Sequence, residues 1–214
     1  MPLLLELFKG TGSFGKVAKS KGWKVISLDN EEKFNPDILT DILKWDYKAL
    51  NLKPDYISAS PPCDTFTNLA LTKSHKQPHP ARVRNVPSMK ALAPSAILGD
   101  KILRKTIEII NYYRRKNPKL KFVMENPRGS MWKSPIMKAL QPYHTTTTLY
   151  CHYKDERRKP TDFFSNVDLI LKEGNCESRR GVLTMPLCDR YKIPSLLIKS
   201  IFNQLEKSKY PYKK

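Results

Sequence analysis

A cysteine and a glutamate are candidates for chemistry because each directly follows an apolar run that predicts a strand. Cys63 follows residues 55–60 and two prolines, and Glu125 follows residues 120–124. Proline fixes φ and donates no backbone hydrogen bond, so two prolines suit a strand end and a rigid loop. A thiol on such a loop is a candidate nucleophile. Taken alone, the stretch is equally compatible with a proline-rich turn that carries an incidental thiol.

A thiol and a carboxyl group that face one pocket suit one specific reaction. A thiolate can add to carbon 6 of a cytosine ring while the carboxyl group bonds ring N3 and the exocyclic amine. Carbon 5 then becomes nucleophilic and can take a methyl group from a sulfonium donor. Loss of the carbon 5 proton and of the thiol completes the turnover. Cys63 and Glu125 are the thiol and the carboxyl group that such a reaction would need.

The first 30 residues predict the unit that would hold the donor. A strand over residues 3–8 leads into Gly-x-Gly-x-x-Gly at positions 10–15, and a helix and a second strand follow. Asp29 ends that strand about 20 residues after Gly10, where an acid bonds ribose hydroxyls in nucleotide-binding βαβ units. No Lys-Ser/Thr pair follows the glycines, which argues against a P-loop. A dinucleotide, an adenosyl cofactor and a tight turn without a ligand all remain open.

The order of the predicted elements favours an α/β fold. Asp41 would end a further short strand, where it could bond an adenine amino group or cap a helix. Helices are predicted over residues 97–115, near residues 131–140 and after Pro194. We expect a Rossmann-like sheet with helices on both faces, in which these strand ends open on one edge.

The charge of the chain favours an anionic partner. The 214 residues carry 39 Lys and Arg against 20 Asp and Glu, a net charge of +19. Nucleic acid is the first candidate partner, and a generally basic soluble surface is the alternative.

Residues 65–99 are basic, rich in proline and free of acids. They predict a loop that closes over a phosphate backbone, although a disordered insertion is also possible. The basic residues that we expect to contact DNA, here and later in the chain, are Lys73, Lys76, Arg82, Arg84, Arg128, Arg179 and Arg180.

The remaining composition bears on compartment and metals. The first residues show no basic leader, and no apolar stretch is long enough to span a membrane. We therefore expect an intracellular protein with reduced thiols, in the cytoplasm or nucleoid of a bacterial or virus-infected cell. The four cysteines form no CxxC pair, so zinc has little support and no metal is expected.

The motifs, in their order, resemble those of cytosine-5 DNA methyltransferases of the short type found in phages and other viruses. Residues 7–13 (Leu-Phe-Lys-Gly-Thr-Gly-Ser) resemble the family's S-adenosylmethionine-binding motif, and residues 60–63 (Ser-Pro-Pro-Cys) resemble its nucleophile motif. Residues 125–127 (Glu-Asn-Pro) resemble its Glu-Asn-Val motif. Residues 157–162 are similar to the Arg-x-Lys-Pro-Thr-Asp run of the phage branch.

The resemblance implies a set of site residues. Cys63 would be the nucleophile, Glu125 would bind N3 and the amine, and Arg157 and Lys159 would assist at the base or phosphate. The target cytosine would be flipped out of double-stranded DNA. The residues that would line the S-adenosylmethionine site are Phe8, Gly10, Thr11, Gly12, Ser13, Asp29, Asn30, Asp41, Ile42 and Pro61.

The chain also departs from the family pattern. The family's last, Gly-Asn-Ser-type motif and its large target-recognition domain are not found. We therefore expect a cofactor-binding and catalytic core over residues 1–150, a small target-recognition region over 151–190, and a C-terminal helix with a basic tail over 191–214. A monomer is expected, and a restriction partner is left open.

Other functions remain possible. Amino methyltransferases, which act on cytosine N4 or adenine N6, share a Ser/Asp-Pro-Pro motif, but an aromatic residue follows their prolines where this chain has Cys63. Cytosine-bearing RNA is an alternative substrate, since charge does not separate DNA from RNA. A basic nucleic-acid-binding protein on an inactive methyltransferase fold is the non-enzyme alternative.

Overall fold

The apolar runs of the sequence become the strands of one seven-stranded sheet, seen here in a computed structural model. The structure describes residues 1–67, 83–85, 88–177 and 185–209. The strands are β1 (Leu3–Leu7), β2 (Lys24–Asp29), β3 (Ile38–Leu39), β4 (Tyr56–Ala59), β5 (Lys121–Pro127), β6 (His144–Leu149) and β7 (Pro160–Ser165).

The strand order is β3-β2-β1-β4-β5-β7-β6. The first five strands of this order are parallel, and β7 runs antiparallel to both of its neighbours. The order reverses between β1 and β4, so the crevice beyond the carboxyl ends of these strands is where a ligand is expected to bind.

Helices cover both faces of the sheet, as the sequence predicted. They are α1 (Ser13–Ser20), α2 (Pro94–Lys116), α3 (Leu187–Tyr191) and α4 (Ser195–Lys207), with 3₁₀ turns at Glu32–Phe34, Met131–Lys133, Pro135–Leu140 and Tyr150–Tyr153. On one face, Leu103 and Ile107 of α2 share a buried cluster with Phe122 of β5. On the other, Phe202 of α4 and Val17 of α1 belong to a second buried cluster.

Two predicted boundaries differ from those observed. β5 continues past Met124 to Pro127 because β7 pairs with its last residues, with Glu125 opposite Phe163. The helix expected over residues 131–140 is two 3₁₀ turns, and Pro135, which lacks a backbone N–H, begins the second.

Residues 151–177 are integrated with the core. The strand β7, inside the range expected to recognise the target, lies between β5 and β6 in the main sheet. Val167, Leu169 and Leu171 after it are buried in the cluster that contains α1 and α4. The helix α4 packs on the core through its buried apolar residues.

One expectation about the cysteines is wrong. Cys151 and Cys176 form a disulfide, with Cα atoms 6.2 Å apart, so these two thiols are not reduced in the structure. They meet because the turn after β6 and the segment after β7 lie side by side, a proximity that sequence spacing does not reveal. Cys63 and Cys188 are free. No helix in the described part of the chain is long and apolar enough to cross a membrane.

Candidate active site

The glycine-rich turn between β1 and α1 is held tightly against the end of β2. Phe8, Gly10 and Gly12 have φ of 59°, 47° and 68°, a left-handed conformation that is available to glycine at little cost. The Gly10 amide donates to Asp29 Oδ2 at 2.8 Å. Asp29 Oδ1 accepts from the Glu31 amide at 3.0 Å. The acid therefore shapes the turn, and its remaining lone pairs can still accept from a ligand.

The third glycine of the motif allows close packing of helix on strand. A Cβ added to Gly15 would lie 2.4 Å from Glu6 Oε2. The Gly15 amide donates to Glu6 Oε1 at 3.0 Å. Only glycine leaves room here for the Glu6 carboxyl group beneath α1.

A cavity of about 310 Å³ opens between this turn, the Pro-Pro-Cys loop and the end of β5. It brings together the glycine-rich turn, Asp29, Cys63 and Glu125. The predicted site residues that line it are Phe8, Gly10, Thr11, Ser13, Asp29, Asn30, Pro61, Cys63, Glu125 and Lys159.

Cys63 is only partly exposed, on the loop that follows β4. Burial, together with the negative charges of Glu125 and Asp64, raises the pKa of its thiol to about 12, while Lys159 acts in the opposite direction. The thiol donates a long hydrogen bond to Asp64 Oδ1, at 3.9 Å. In the free protein Cys63 is therefore a protonated thiol at neutral pH. It lies close enough to Glu125 for the charge of the carboxylate to raise its pKa.

Glu125 is buried near the end of β5, with 6% of its surface exposed. Its Oε1 accepts a hydrogen bond from the Tyr150 hydroxyl at 3.3 Å. Burial, and next the charge of Glu125, raises the pKa of Tyr150 well above its ordinary value, so the phenol stays a neutral donor. Tyr150 thus holds one oxygen of the carboxyl group that faces the cavity.

Of the two basic residues expected to assist at the base or phosphate, only one lines the cavity. Lys159 lines the cavity, and its Nζ donates to the Arg190 carbonyl at 3.1 Å. Arg157 does not line it: its side chain is 5% exposed, and its Nε donates to Asp155 Oδ1 at 2.6 Å. Its Nη1 donates to the Asp189 carbonyl at 2.5 Å. A direct role of Arg157 at the base is therefore not supported by its position, because its guanidinium already binds Asp155 and α3.

Three residues expected at the cofactor site are absent from the wall of this cavity. Ile42 is buried in the core, with 4% exposure. Asp41 Oδ1 accepts from the Leu43 amide at 2.9 Å and so closes a local turn, and in this described part of the chain no helix follows for it to cap. Gly12 is not in contact with the cavity but closes the turn, its amide donating to the Lys9 carbonyl at 2.7 Å.

The expectation that Arg84 contacts DNA is wrong for this structure. Its side chain is completely buried and pairs with Asp100 at 2.6 Å. Its guanidinium lies 3.9 Å from the centre of the Phe66 ring and donates to the Thr65 carbonyl at 2.8 Å. Arg84 therefore ties its segment to α2 and cannot reach a phosphate.

The other expected DNA contacts divide into two groups. Arg128 is exposed just beyond the end of β5. Five others lie outside the described residues: Lys73, Lys76, Arg82, Arg179 and Arg180.

The structure adds cavity residues that the sequence did not single out. Phe34, Tyr191 and Ile193 line the cavity from segments distant in sequence, and no local pattern marks them. Glu6 also lines it and is 3% exposed. Burial raises the pKa of Glu6 to about 7. The sequence did contain a signal for Glu6, because it is the only acid within the apolar run that forms β1. Among the described residues, no group of three or more His, Cys, Asp or Glu side chains could hold a metal ion.

Comparisons with known proteins identify the fold. No family model and no curated protein matches the chain. One solved structure with the same fold is assigned as a DNA modification methyltransferase encoded within an E. coli prophage, with TM-score 0.50 and 15% identity over 79% of this chain and 49% of that one. Another is S. pombe Dnmt2 methyltransferase, with TM-score 0.50 and 13% identity over 77% of this chain and 50% of that one.

The chain thus spans about half the length of these two structures. At such identities the likeness establishes the fold alone, a Rossmann-like sheet like that of these two structures. Activity, substrate and cofactor must be argued from the site.

Proposed function

We propose that this protein transfers a methyl group from S-adenosylmethionine to carbon 5 of cytosine in DNA, through a covalent bond between Cys63 and carbon 6. One observation carries the proposal: a thiol and a buried carboxyl group, Cys63 and Glu125, line the same cavity as the glycine-rich turn and Asp29. The likeness of the fold to two methyltransferase structures agrees with this proposal. Fold alone would not be sufficient for it, because one fold can host many functions.

The residues at the β1 and β2 ends of the cavity fit an adenosyl cofactor. Gly10 brings backbone close to the cavity, Asp29 offers carboxylate lone pairs to ribose hydroxyls, and Phe34 offers an apolar surface for a purine. Asn30 and Thr11 add polar groups at the same wall. The bound cofactor would supply an electrophilic methyl group.

Cys63 and Glu125 would act on the base. The Cys63 thiolate forms a bond to carbon 6, and the electron pair of the C5–C6 double bond moves toward carbon 5. Glu125 bonds N3 and the exocyclic amine, where it stabilises the charge that develops in the ring. The electron pair at carbon 5 would form the bond to the methyl group as the sulfur–methyl bond of the donor breaks, which would leave a neutral thioether. The carbon 5 proton would then pass to solvent, its electron pair would restore the C5–C6 double bond, and the C6–S bond would break to return the Cys63 thiolate.

Lys159 would assist the thiol. Its positive charge lowers the pKa of Cys63, against burial and the two nearby carboxylates, which raise it. A thiol with a pKa of about 12 is a weak nucleophile until its thiolate is stabilised. We infer that substrate binding, with Lys159 in place, provides the remaining stabilisation.

Duplex DNA is the proposed partner. A cytosine inside a stacked duplex cannot reach a partly buried thiol, so the target base must be flipped out into the cavity. The net charge of +19 favours association with the phosphate backbone.

Nucleoside analysis tests the proposal. The purified protein is incubated with S-adenosylmethionine and unmethylated bacterial DNA, and the digested nucleosides are separated by mass spectrometry. We expect 5-methylcytosine with the wild type and none with Cys63→Ala. N4-methylcytosine or N6-methyladenine would indicate an amino methyltransferase. Modification of RNA but not DNA would change the substrate, and no product with any nucleic acid would support an inactive binding protein.

A further inference from the structure

A second cavity, of about 460 Å³, opens at the same sheet edge as the first. One side is formed by residues at the end of β6 and the start of β7, and the other by residues 172–175. It shares no lining residue with the cavity that contains Cys63.

The second cavity is basic. Arg128, Arg158 and Lys172 line it with exposed side chains, His152 adds an imidazole, and Glu173 is the only acid among its lining residues.

The Arg128 side chain makes no hydrogen bond or ion pair with the described residues. Arg158 donates one bond to Asn175, at 3.1 Å. Lys172 donates one bond to the His152 carbonyl, at 3.2 Å. All three cations thus keep donors for an anion.

The far wall of the second cavity is fixed in place. Thr148 Oγ1, on β6, donates to the Lys172 carbonyl at 2.6 Å. The Lys172 amide donates to the Tyr153 hydroxyl at 3.0 Å. The Cys151–Cys176 disulfide closes the end of the same segment. A site held in this way loses little conformational freedom when it binds a ligand.

The two cavities are separated by only two strands of backbone. Pro127 and Lys159 line the first cavity, and the residues that follow them, Arg128 and Pro160, line the second. The Arg128 amide donates to the Pro160 carbonyl at 2.9 Å, which joins these strands. A nucleotide strand whose base entered the first cavity would therefore pass directly beside the second.

We propose that the second cavity binds backbone phosphates of the DNA strand that carries the target cytosine, through Arg128, Arg158 and Lys172. Arginine and lysine are the side chains that most often contact phosphate, and such contacts fix the register of DNA without reading its sequence. The inference rests on the proposed DNA substrate and gives residues 151–177 a positioning role in binding it.

Salt dependence of DNA affinity tests the inference. Fluorescence anisotropy with a labelled duplex is measured from 50 to 200 mM salt for the wild type and for the triple variant Arg128→Ala, Arg158→Ala, Lys172→Ala. Removal of each cation that binds a phosphate should reduce the slope of log K against log salt by about 0.9. The matched control, Lys24→Ala, Arg115→Ala, Lys119→Ala, removes the same charge from exposed residues. We expect it to keep the wild-type slope.

The outcomes separate this inference from the proposed function. If the slope of the triple variant matches that of the control and the wild type methylates DNA, only the proposal that the second cavity binds phosphates would be overturned. If the slope of the triple variant is reduced but the wild type forms no 5-methylcytosine, phosphate binding at the second cavity would be supported and the proposed function would be overturned. Failure of the wild type to bind duplex DNA would overturn both. Glu173→Gln, which only removes the acid, should tighten binding at 50 mM salt, and weaker binding would contradict the assignment.

Discussion

Asn126 Nδ2 donates a hydrogen bond to the carbonyl of Pro61 at 3.1 Å. This bond joins the two predicted catalytic motifs, since Asn126 follows Glu125 and Pro61 precedes the Pro62-Cys63 pair. Asn126 is buried, with 1% exposure, so the bond is shielded from water. It fixes the loop that carries the thiol against the strand that carries the carboxyl group.

Asn126→Ala should therefore impair catalysis more than cofactor binding. Loss of the bond leaves the buried Pro61 carbonyl without this donor and frees the Cys63 loop. Since small misplacements of reacting groups cost about 100-fold in rate, we expect a fall of that order in kcat. Calorimetry should give a Kd for S-adenosylmethionine close to that of the wild type, because the substitution leaves the glycine-rich turn and Asp29 unchanged. An unchanged kcat would show that the loop is held by other contacts.

The Cys63 thiol should lose its proton only at high pH in the free protein. With a pKa of about 12, its alkylation by iodoacetamide should still be rising about tenfold per pH unit at pH 9 to 10. Glu125→Gln removes one of the charges that raise this pKa and should accelerate alkylation at fixed pH. Peptide-level mass spectrometry separates Cys63 from Cys188, which is exposed and serves as the internal reference. A Cys63 rate that reaches a plateau below pH 9 would contradict the burial argument.

Glu125→Gln should also slow methylation. Acid–base groups contribute about 10²- to 10⁴-fold, and we expect a loss of at least about 100-fold in kcat. Tyr150→Phe removes only the hydroxyl that donates to Glu125, so its effect should be smaller. Single-turnover kinetics with saturating DNA gives both values. Equal losses in the two variants would mean that Tyr150 does more than orient the carboxyl group.

Stability should fall with rising pH because of Glu6. Its pKa is about 7 in the folded protein and about 4.5 when unfolded, so the folded state binds the proton more tightly. The stabilising contribution of the protonated form is complete below pH 4.5 and is lost as pH rises to 7. At about 1.4 kcal/mol per pKa unit, the loss is about 3 kcal/mol. Glu6→Gln should flatten this dependence in urea unfolding at pH 5 and pH 8, and an unaltered pH dependence would contradict it.

Replacement of Arg84 should lower stability strongly, and replacement of Arg128 should hardly change it. Arg84→Met leaves Asp100 unpaired in a largely buried site and should cost about 3 kcal/mol of unfolding free energy. Arg128→Ala removes an exposed side chain and should change stability by less than about 0.5 kcal/mol. Urea titration of both variants gives the two changes in unfolding free energy and so tests whether Arg84 is buried and paired with Asp100. Loss of DNA affinity in Arg84→Met without loss of stability would restore its expected role as a DNA contact.

The predicted site residues that line one cavity share a local signal in the sequence. Cys63, Glu125 and Asp29 each stand at or next to the end of an apolar run, and parallel strands bring such ends to one edge. The sheet and its two helical faces follow from the same periodicity. These features depend on residues close together in the chain, which is why they could be predicted.

The features that were missed depend on contacts distant in sequence. Tyr150 meets Glu125 only because β7 inserts antiparallel between β5 and β6, which no local pattern specifies. Arg84 is buried because Asp100, 16 residues later, returns on α2 to pair with it. Arg157 sits in a motif suggestive of base contact, yet Asp155 and the Asp189 carbonyl already bind its guanidinium.

Covalent trapping tests the central claim most directly. A duplex that contains 5-fluorocytosine in a methylatable site is incubated with the protein and S-adenosylmethionine, then analysed by denaturing electrophoresis and peptide mass spectrometry. Fluorine at carbon 5 cannot leave as a proton does, so the adduct between Cys63 and carbon 6 should persist and should be absent from Cys63→Ser. Absence of any adduct, together with N4-methylcytosine or N6-methyladenine in normal DNA, would contradict the cysteine mechanism.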